Sequence, residues 1–367
     1  MLSDTIKSCQ FVVFTEAAKG GPMAIKKITM QDIADKCGLS RNTVSKIFNG
    51  RGNVPEETKE LVYQAAKDLG YHQPLEGLLG SDKEPAASSL SIAVLSHSNP
   101  MHHAFGSFFI KAFTDQICRV GYTVRMYEVS SEEIERKILP PNISSENTAG
   151  ILCIELFDKD YLNTVCSFGL PTIIVDGYKD ITMSLLPCDV IVMENVAASM
   201  ALTRKMMANG AKTIGFIGDI NHCNSFNERF KGYSLALSEA GLFVDSSVCI
   251  LDSDDHPYGD IAWLENKLDH MPYLPDAFFC ANDFHALHII ATLKMRGLSI
   301  PKDVMVSGFD NSPESAIVEP HLTTAQISSS DMGIAAAEIL RGRIENNTKA
   351  FCISYIKSTP IFRESTR

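Results

Sequence analysis

The chain has 367 residues, 45% hydrophobic and 21% charged, the balance of an ordinary soluble globular protein with room for two or three domains. A net charge of −11 excludes a protein that is basic over its whole surface. Ten cysteines scattered singly, without C-x-x-C spacing, exclude a secreted disulfide framework and a zinc ribbon, and no apolar run approaches the length of a membrane span, so a cytoplasmic protein with small buried thiols is expected.

Residues 1–25 read as an N-terminal extension, expected to be disordered or not native. The apolar patch at residues 11–14 is too short for a signal-peptide core, and Lys7 is the sole basic residue ahead of it. Met23 reads as a natural start. The codons of Lys19-Gly20-Gly21 can spell a ribosome-binding sequence just upstream, so translation is expected to begin at Met23.

Residues 26–73 carry three short helical patterns. Thr29 opens the first, with Asp32 three residues later as in a reciprocal cap, and Ile33, Ala34 and Cys37 fall on one face. Gly38 breaks it and Leu39 follows as an apolar plug. Ser40 is a good N-cap for the second, whose apolar face is Val44, Ile47 and Phe48 and which ends at Asn49-Gly50. The third starts near Pro55 and is expected to pack through Leu61, Val62, Ala65 and Leu69. Two helices joined by a tight Gly turn form a helix-turn-helix unit. The second helix presents Arg41, Asn42, Thr43 and Lys46, side chains suited to base edges and phosphates. A generic helical hairpin with a solvated polar face is the alternative. Eight basic and six acidic residues from Lys26 to Gln73 put this stretch at +2 and the rest of the chain at −13, so attraction to phosphate is confined to one end.

The wording of this stretch goes further. T-x-x-D-I-A-x-x-x-G-L-S-x-x-T-V-S-K-x-x-N-G, then V-P-E-x-T, then A-x-x-L-G-Y, resembles the DNA-binding headpiece of the lac/gal repressor family, densely and almost without gaps. The resemblance implies that residues 40–46 enter the major groove of double-stranded DNA. Arg41, Asn42 and Lys46 would read bases. Thr29, Gln31, Ser40, Thr43, Ser45, Asn49, Val54 and Thr58 would lie at the phosphate backbone.

Residues 74–89 are rich in Gly, Pro, Ser and Ala and read as a linker. In the family this place holds a hinge helix with a leucine that wedges into the minor groove. Here Gly77 and Gly80 weaken a helix and Glu76 would repel phosphate, so a well-formed wedge at Leu78 or Leu79 is not expected.

From Leu90 to the C-terminus, apolar strands alternate with helices: SIAVL, TVRMYEV, GILCIEL, PTIIVD, CDVIVM, KTIGFIGD, SVCILD, DAFFCAND and DVMVSGFD. The alternation predicts parallel sheets covered on both faces, and this many strands suit two lobes. The stretch resembles the effector-binding core of the same family, loosely in the first lobe and tightly from about Asn209 to Ile327. That core is similar in fold to periplasmic sugar-binding proteins of type I. The expected fold is therefore a small all-α headpiece followed by a two-lobed α/β effector domain with parallel sheets over 90–367. The first lobe is placed at about 90–192 and 322–347, the second at about 193–321 and 348–367.

Ligands of open parallel sheets bind beyond the carboxyl ends of strands. Several strands here end on a polar residue, each of which could also be a helix cap or turn residue. By resemblance Asp176, Arg229, Asn282 and Asp310 match effector-holding positions, and their donors and acceptors suit a sugar or other small polar ligand. Phe105, Tyr178 and Phe309 could add flat apolar surface or simply be core. Leu287 and Val318 match the family's subunit contact, which implies a homodimer on a near-palindromic operator. The absence of a trailing heptad repeat favours a dimer over a coiled-coil tetramer. His285 and His288, three apart, lack a third ligand nearby, so no metal is expected, and no cofactor is called for. His102-His103 reads as cleft mouth or plain surface, and Trp263 as core. No nucleophile motif, P-loop or zinc-protease motif supports an enzyme. The reading is a transcriptional regulator, a repressor controlled by a small effector. A transporter's solute-binding protein and a cytosolic sugar-modifying enzyme are the alternatives.

Overall fold

The structure is a computed structural model that describes residues 30–48, 55, 58, 59, 61, 62, 65, 90–102 and 104–367. The chain divides into two compact units, one over Phe14–Ala87 and one whose main span is Ser88–Arg367.

In the smaller unit, α1 (Met30–Cys37) and α2 (Arg41–Phe48) are joined by the turn that the sequence predicts. Gly38 takes φ +65°, a left-handed conformation that an L side chain rarely adopts, and Leu39 N–H closes back on Ala34 O. Ser40 Oγ accepts from Thr43 N–H at 3.1 Å, the expected N-cap of α2. Ile33, Ala34, Val44, Ile47, Val62 and Ala65 form the buried core. Thr58, Lys59, Leu61, Val62 and Ala65 are helical, and Thr58 N–H bonds Pro55 O. Leu61, expected in the core, is 53% exposed, because Val62 and Ala65 already define the buried face. Leu69 lies outside the described residues.

The larger unit runs β1 (Ser91–Ser96), α3 (Ala104–Arg119), β2 (Thr123–Glu128), α4 (Ser131–Arg136), β3 (Thr148–Ile154), α5 (Lys159–Ser167), β4 (Thr172–Val175), β5 (Asp189–Met193) and α6 (Val196–Ala208). It continues with β6 (Ile214–Ile217), α7 (Asn224–Glu239), α8 (Ile261–Asp269), β7 (Ala277–Cys280), α9 (Asp283–Met295) and β8 (Met305–Ser307). It closes with β9 (Thr324–Gln326), α10 (Ser329–Glu345), β10 (Ile353–Ile356) and β11 (Thr359–Ile361). Six strands form one parallel sheet in the order β10-β5-β4-β3-β1-β2, and three form a second in the order β6-β7-β8. β9 and β11 make an antiparallel pair.

The two sheets are the expected two lobes, and β1, β3, β4 and β5 are buried along their whole length, as strands covered by helices on both faces must be. α10 lies along α3 closely enough that a Cβ on Gly333 would stand 2.4 Å from Phe109 O. The buried Arg343 of α10 grips Asp189 of β5 through two bonds of 2.9 Å, and Asp189 also accepts from Cys352 N–H ahead of β10.

Two lobe boundaries differ from expectation. β10 pairs with β5 in the first sheet, so 348–367 does not fall wholly in the second lobe. Conversely, Thr323 bridges Ser307 and Gln326 bridges Asp310, so the start of 322–347 belongs with the second sheet. The physical reason is that the chain crosses between lobes three times: after β5, after β9 and after β10. A third expectation also changes: SVCILD forms a short 3-10 turn (Ser246–Val248) and one bridge from Ile250 to Ile217, not a strand.

Candidate functional site

In the small unit, α2 is a short helix with a capped N-terminus and an exposed Arg41 one residue past the cap. Thr43 is half-buried and its hydroxyl meets Ser40 Oγ at 2.8 Å. On α1, Gln31 is exposed and its amide bonds Asp35 Oδ1 at 2.8 Å. Thr58 is half-buried. Thr29, Asn49 and Val54 lie outside the described residues, as do the side chains of Asn42, Ser45 and Lys46.

In the large unit the strand ends bring together much of the predicted set. Asp176 follows β4 at φ +62°. Its Oδ1 accepts from Ser225 N–H at 2.9 Å and its Oδ2 from Ser225 Oγ–H at 2.8 Å, at the N-terminus of α7. Asn224 N–H donates to Gly177 O alongside. These bonds join the first lobe to the second. Burial pushes the Asp176 carboxyl above the usual carboxylate range, against the Ser225 hydrogen bond and the Arg229 charge.

Arg229, one turn further along α7, is 2% exposed. Its Nε donates to Asn195 Oδ1 at 3.0 Å and its Nη1 to Ala281 O at 2.6 Å, and Nη1 lies 3.3 Å from Asp310 Oδ1. Asp310 follows β8 at φ +113°, half-exposed, with its N–H on Ala325 O. A buried guanidinium needs compensation for the water it has lost, and this one has a carboxylate, two acceptors and a ring. The ring is Phe309, fully buried, 3.9 Å below the guanidinium carbon. Phe309 is therefore the floor under Arg229 and not the ligand-facing surface suggested as one of its two roles.

Asn282 caps α9: its Oδ1 accepts from His285 N–H at 2.9 Å. The next residue, Asp283, is 1% exposed and accepts from Thr324 Oγ–H at 2.6 Å and Ser312 N–H at 2.7 Å. Burial, and next the nearby Asp310 charge, push its carboxyl up to about 7. Phe105 is half-buried on α3, its ring 6.0 Å from that of Phe109, and Tyr178 is half-buried after β4, with Lys159 Nζ 5.8 Å from its ring centre. Leu287 and Val318 are half-buried on the second lobe, and Trp263 packs at the edge of its core.

The structure adds residues that the sequence does not assign to the site: Ser225, Asn195, Glu228 and Asp283. Asn195 is buried in the first crossover and gives its amide hydrogens to Glu228 Oε2 and Met193 O, each at 2.9 Å. No sequence motif marks these four, though Ser225 and Asp283 adjoin predicted strand or helix ends. His285 is 3% exposed and stacks on Tyr258 at 4.4 Å, and burial pushes its imidazole down to about 3, so it is neutral. Among the described residues no group of three or more His, Cys, Asp or Glu side chains could hold a metal ion, and no helix is long and apolar enough to cross a membrane.

Residues 29–73 match the model of the bacterial regulatory proteins of the lacI family, and residues 203–366 match a periplasmic binding protein-like domain. The chain belongs to the lacI family. This lacI-family protein is a DNA-binding transcriptional regulator and not an enzyme. It is 27% identical over 342 residues to the HTH-type transcriptional repressor PurR of Pasteurella multocida (strain Pm70), covering 92% of this chain and 98% of that one. It is 28% identical over 346 residues to the repressor of the same name from Haemophilus influenzae (strain PittEE), covering 92% and 98%. In fold it is similar to a CelR–cellobiose complex (TM-score 0.66, 23% identity, 92% of this chain and 99% of that one). It is similar also to a lac repressor dimer bound to operator and the anti-inducer ONPF (TM-score 0.64, 20% identity, 93% and 99%).

Proposed function

We propose that this regulator is a cytoplasmic repressor that binds a near-palindromic operator as a homodimer and responds to one small polar effector per subunit, a sugar or sugar derivative, held between the lobes. The observation that carries the effector half is Arg229: a buried cation at the strand ends, with Nε and Nη1 bonded inside the protein and, among the described residues, no acceptor bonded to Nη2. Asp176, Asn282 and Asp310 complete the set that meets the effector, with Phe105 on the first-lobe side. The relatives named as repressors support repression, and the cellobiose in the similar CelR structure supports a sugar. Arg41, Asn42 and Lys46 read bases. Thr29, Gln31, Ser40, Thr43, Ser45, Asn49, Val54 and Thr58 meet the backbone, and Leu287 and Val318 lie at the subunit contact.

A ligand bonded to both lobes favours whichever lobe arrangement it binds better, and that differential affinity is all it can contribute to switching. Calorimetry with sugars, sugar phosphates and nucleosides identifies the effector, and operator binding is then titrated with and without it. Arg229→Ala is expected to weaken effector binding by about 1–3 kcal/mol and to blunt the response, while operator affinity without effector stays at the parent level. A full response in both Arg229→Ala and Asp310→Ala sinks the cleft reading.

A further inference from the structure

A guanidinium carries five N–H groups, and two of those of Arg229 are in hydrogen bonds. Nε–H goes to Asn195 Oδ1 and one Nη1–H to Ala281 O, and the Asp310 carboxylate stands beside Nη1 with Oδ1 at 3.3 Å. Among the described residues none accepts a hydrogen bond from Nη2. A carboxylate or phosphate is clamped by a fork of two nitrogens, either Nε with Nη2 or Nη1 with Nη2. Nη2 belongs to both forks, but its partner is occupied in each.

The side occupied by Nε is set from behind. Asn195 Nδ2 has two acceptors, Glu228 Oε2 and Met193 O, so the amide cannot turn without losing both, and its oxygen must face Arg229. Glu228 is 6% exposed and is held in turn by Tyr355 O–H at 3.2 Å. Phe309 fixes the plane of the guanidinium at 3.9 Å. The charge nearby is of the wrong sign for an anion: the Asp310 carboxylate is paired with Arg229.

We propose that Arg229 cannot clamp an oxyanion, so the effector meets it through a single hydroxyl or carbonyl oxygen and carries no carboxylate or phosphate at that end, with Asn195 and Glu228 as the positioning pair that enforces this. The inference rests on the reading of Arg229 as effector-facing. It deepens that reading by separating neutral polyhydroxyl ligands from sugar phosphates and sugar acids.

The test uses inorganic phosphate as the probe and the full chain labelled with ¹⁵N-arginine, following the Arg229 Nε–Hε resonance, which is assigned by its loss in Arg229→Lys. In the parent this resonance should not move saturably with phosphate. Asn195→Ala frees Nε beside Nη2 and should gain a saturable shift, with phosphate bound about tenfold or more tightly than by the parent. Glu228→Gln keeps an acceptor opposite Asn195 Nδ2 and should behave as the parent. A saturable shift in the parent overturns the inference, and so does the absence of any gain in folded Asn195→Ala. If a variant does not fold, the parent titration decides alone. A full effector response in both Arg229→Ala and Asp310→Ala strikes the cleft reading instead, so the two failures are distinct.

Discussion

Replacing Asp283 by Asn should flatten the pH dependence of folding stability. The carboxyl is buried beside Asp310 and sits at about 7 in the folded chain, against about 4 in an unfolded one. Between those two values the folded state holds a proton that the unfolded state has released. Stability from this group is therefore fully present below about pH 4 and is lost as pH rises through about 7. The slope is about 1.4 kcal/mol per pH unit, for a total of about 4 kcal/mol. Asn fits the same space: its Oδ1 can accept from Ser312 N–H, and its Nδ2 can donate to the Thr324 hydroxyl, which reverses its role. Urea denaturation of parent and variant at intervals from about pH 5 to about pH 8 gives the two profiles. The parent curve should fall more steeply with pH, and the variant should gain on the parent toward the alkaline end. Parallel profiles would refute the assignment of a raised carboxyl to Asp283.

Arg343→Ala should destabilise the effector domain by about 3–5 kcal/mol, because it leaves Asp189 buried without its partner; a loss below about 1 kcal/mol in chemical denaturation would show that water reaches the pair. Replacing Leu78 and Leu79 together by Ala should cost little operator affinity, since Gly77 and Gly80 disfavour a wedge helix. A loss of several kcal/mol, together with lost bending in a circular-permutation gel assay, would show that one of these leucines is inserted into DNA.

Local features were legible in the sequence. Ser40 caps α2 because a short hydroxyl side chain before an apolar-periodic run has an orphan N–H to accept from, and Gly38 turns because the left-handed conformation there requires it. The strands of both sheets other than β10 were legible from their apolar runs, and strand ends at Asp176 and Asp310 pointed to one edge. What was not legible depends on tertiary approach. Asn195 and Glu228 are 33 residues apart and meet only when α7 packs beside the first crossover. Phe309 reads as a free aromatic at a strand end until Arg229 is seen lying on it. β10 is a four-residue strand whose pattern does not state which sheet it joins, and only pairing with β5 decides that. SVCILD has the composition of a strand, but the chain turns through Ser246–Val248 and leaves one bridge.

The central claim, a regulator that reads DNA sequence through α2, is tested most directly by selecting operators from randomised duplex DNA with the full chain and with Arg41→Ala. The parent should enrich a near-palindromic site. Arg41→Ala should lose preference at one position per half-site, at a cost of about 1–3 kcal/mol per bidentate contact, with the rest of the site retained. Enrichment of no sequence by the parent, or an unchanged base preference in Arg41→Ala, would contradict the account.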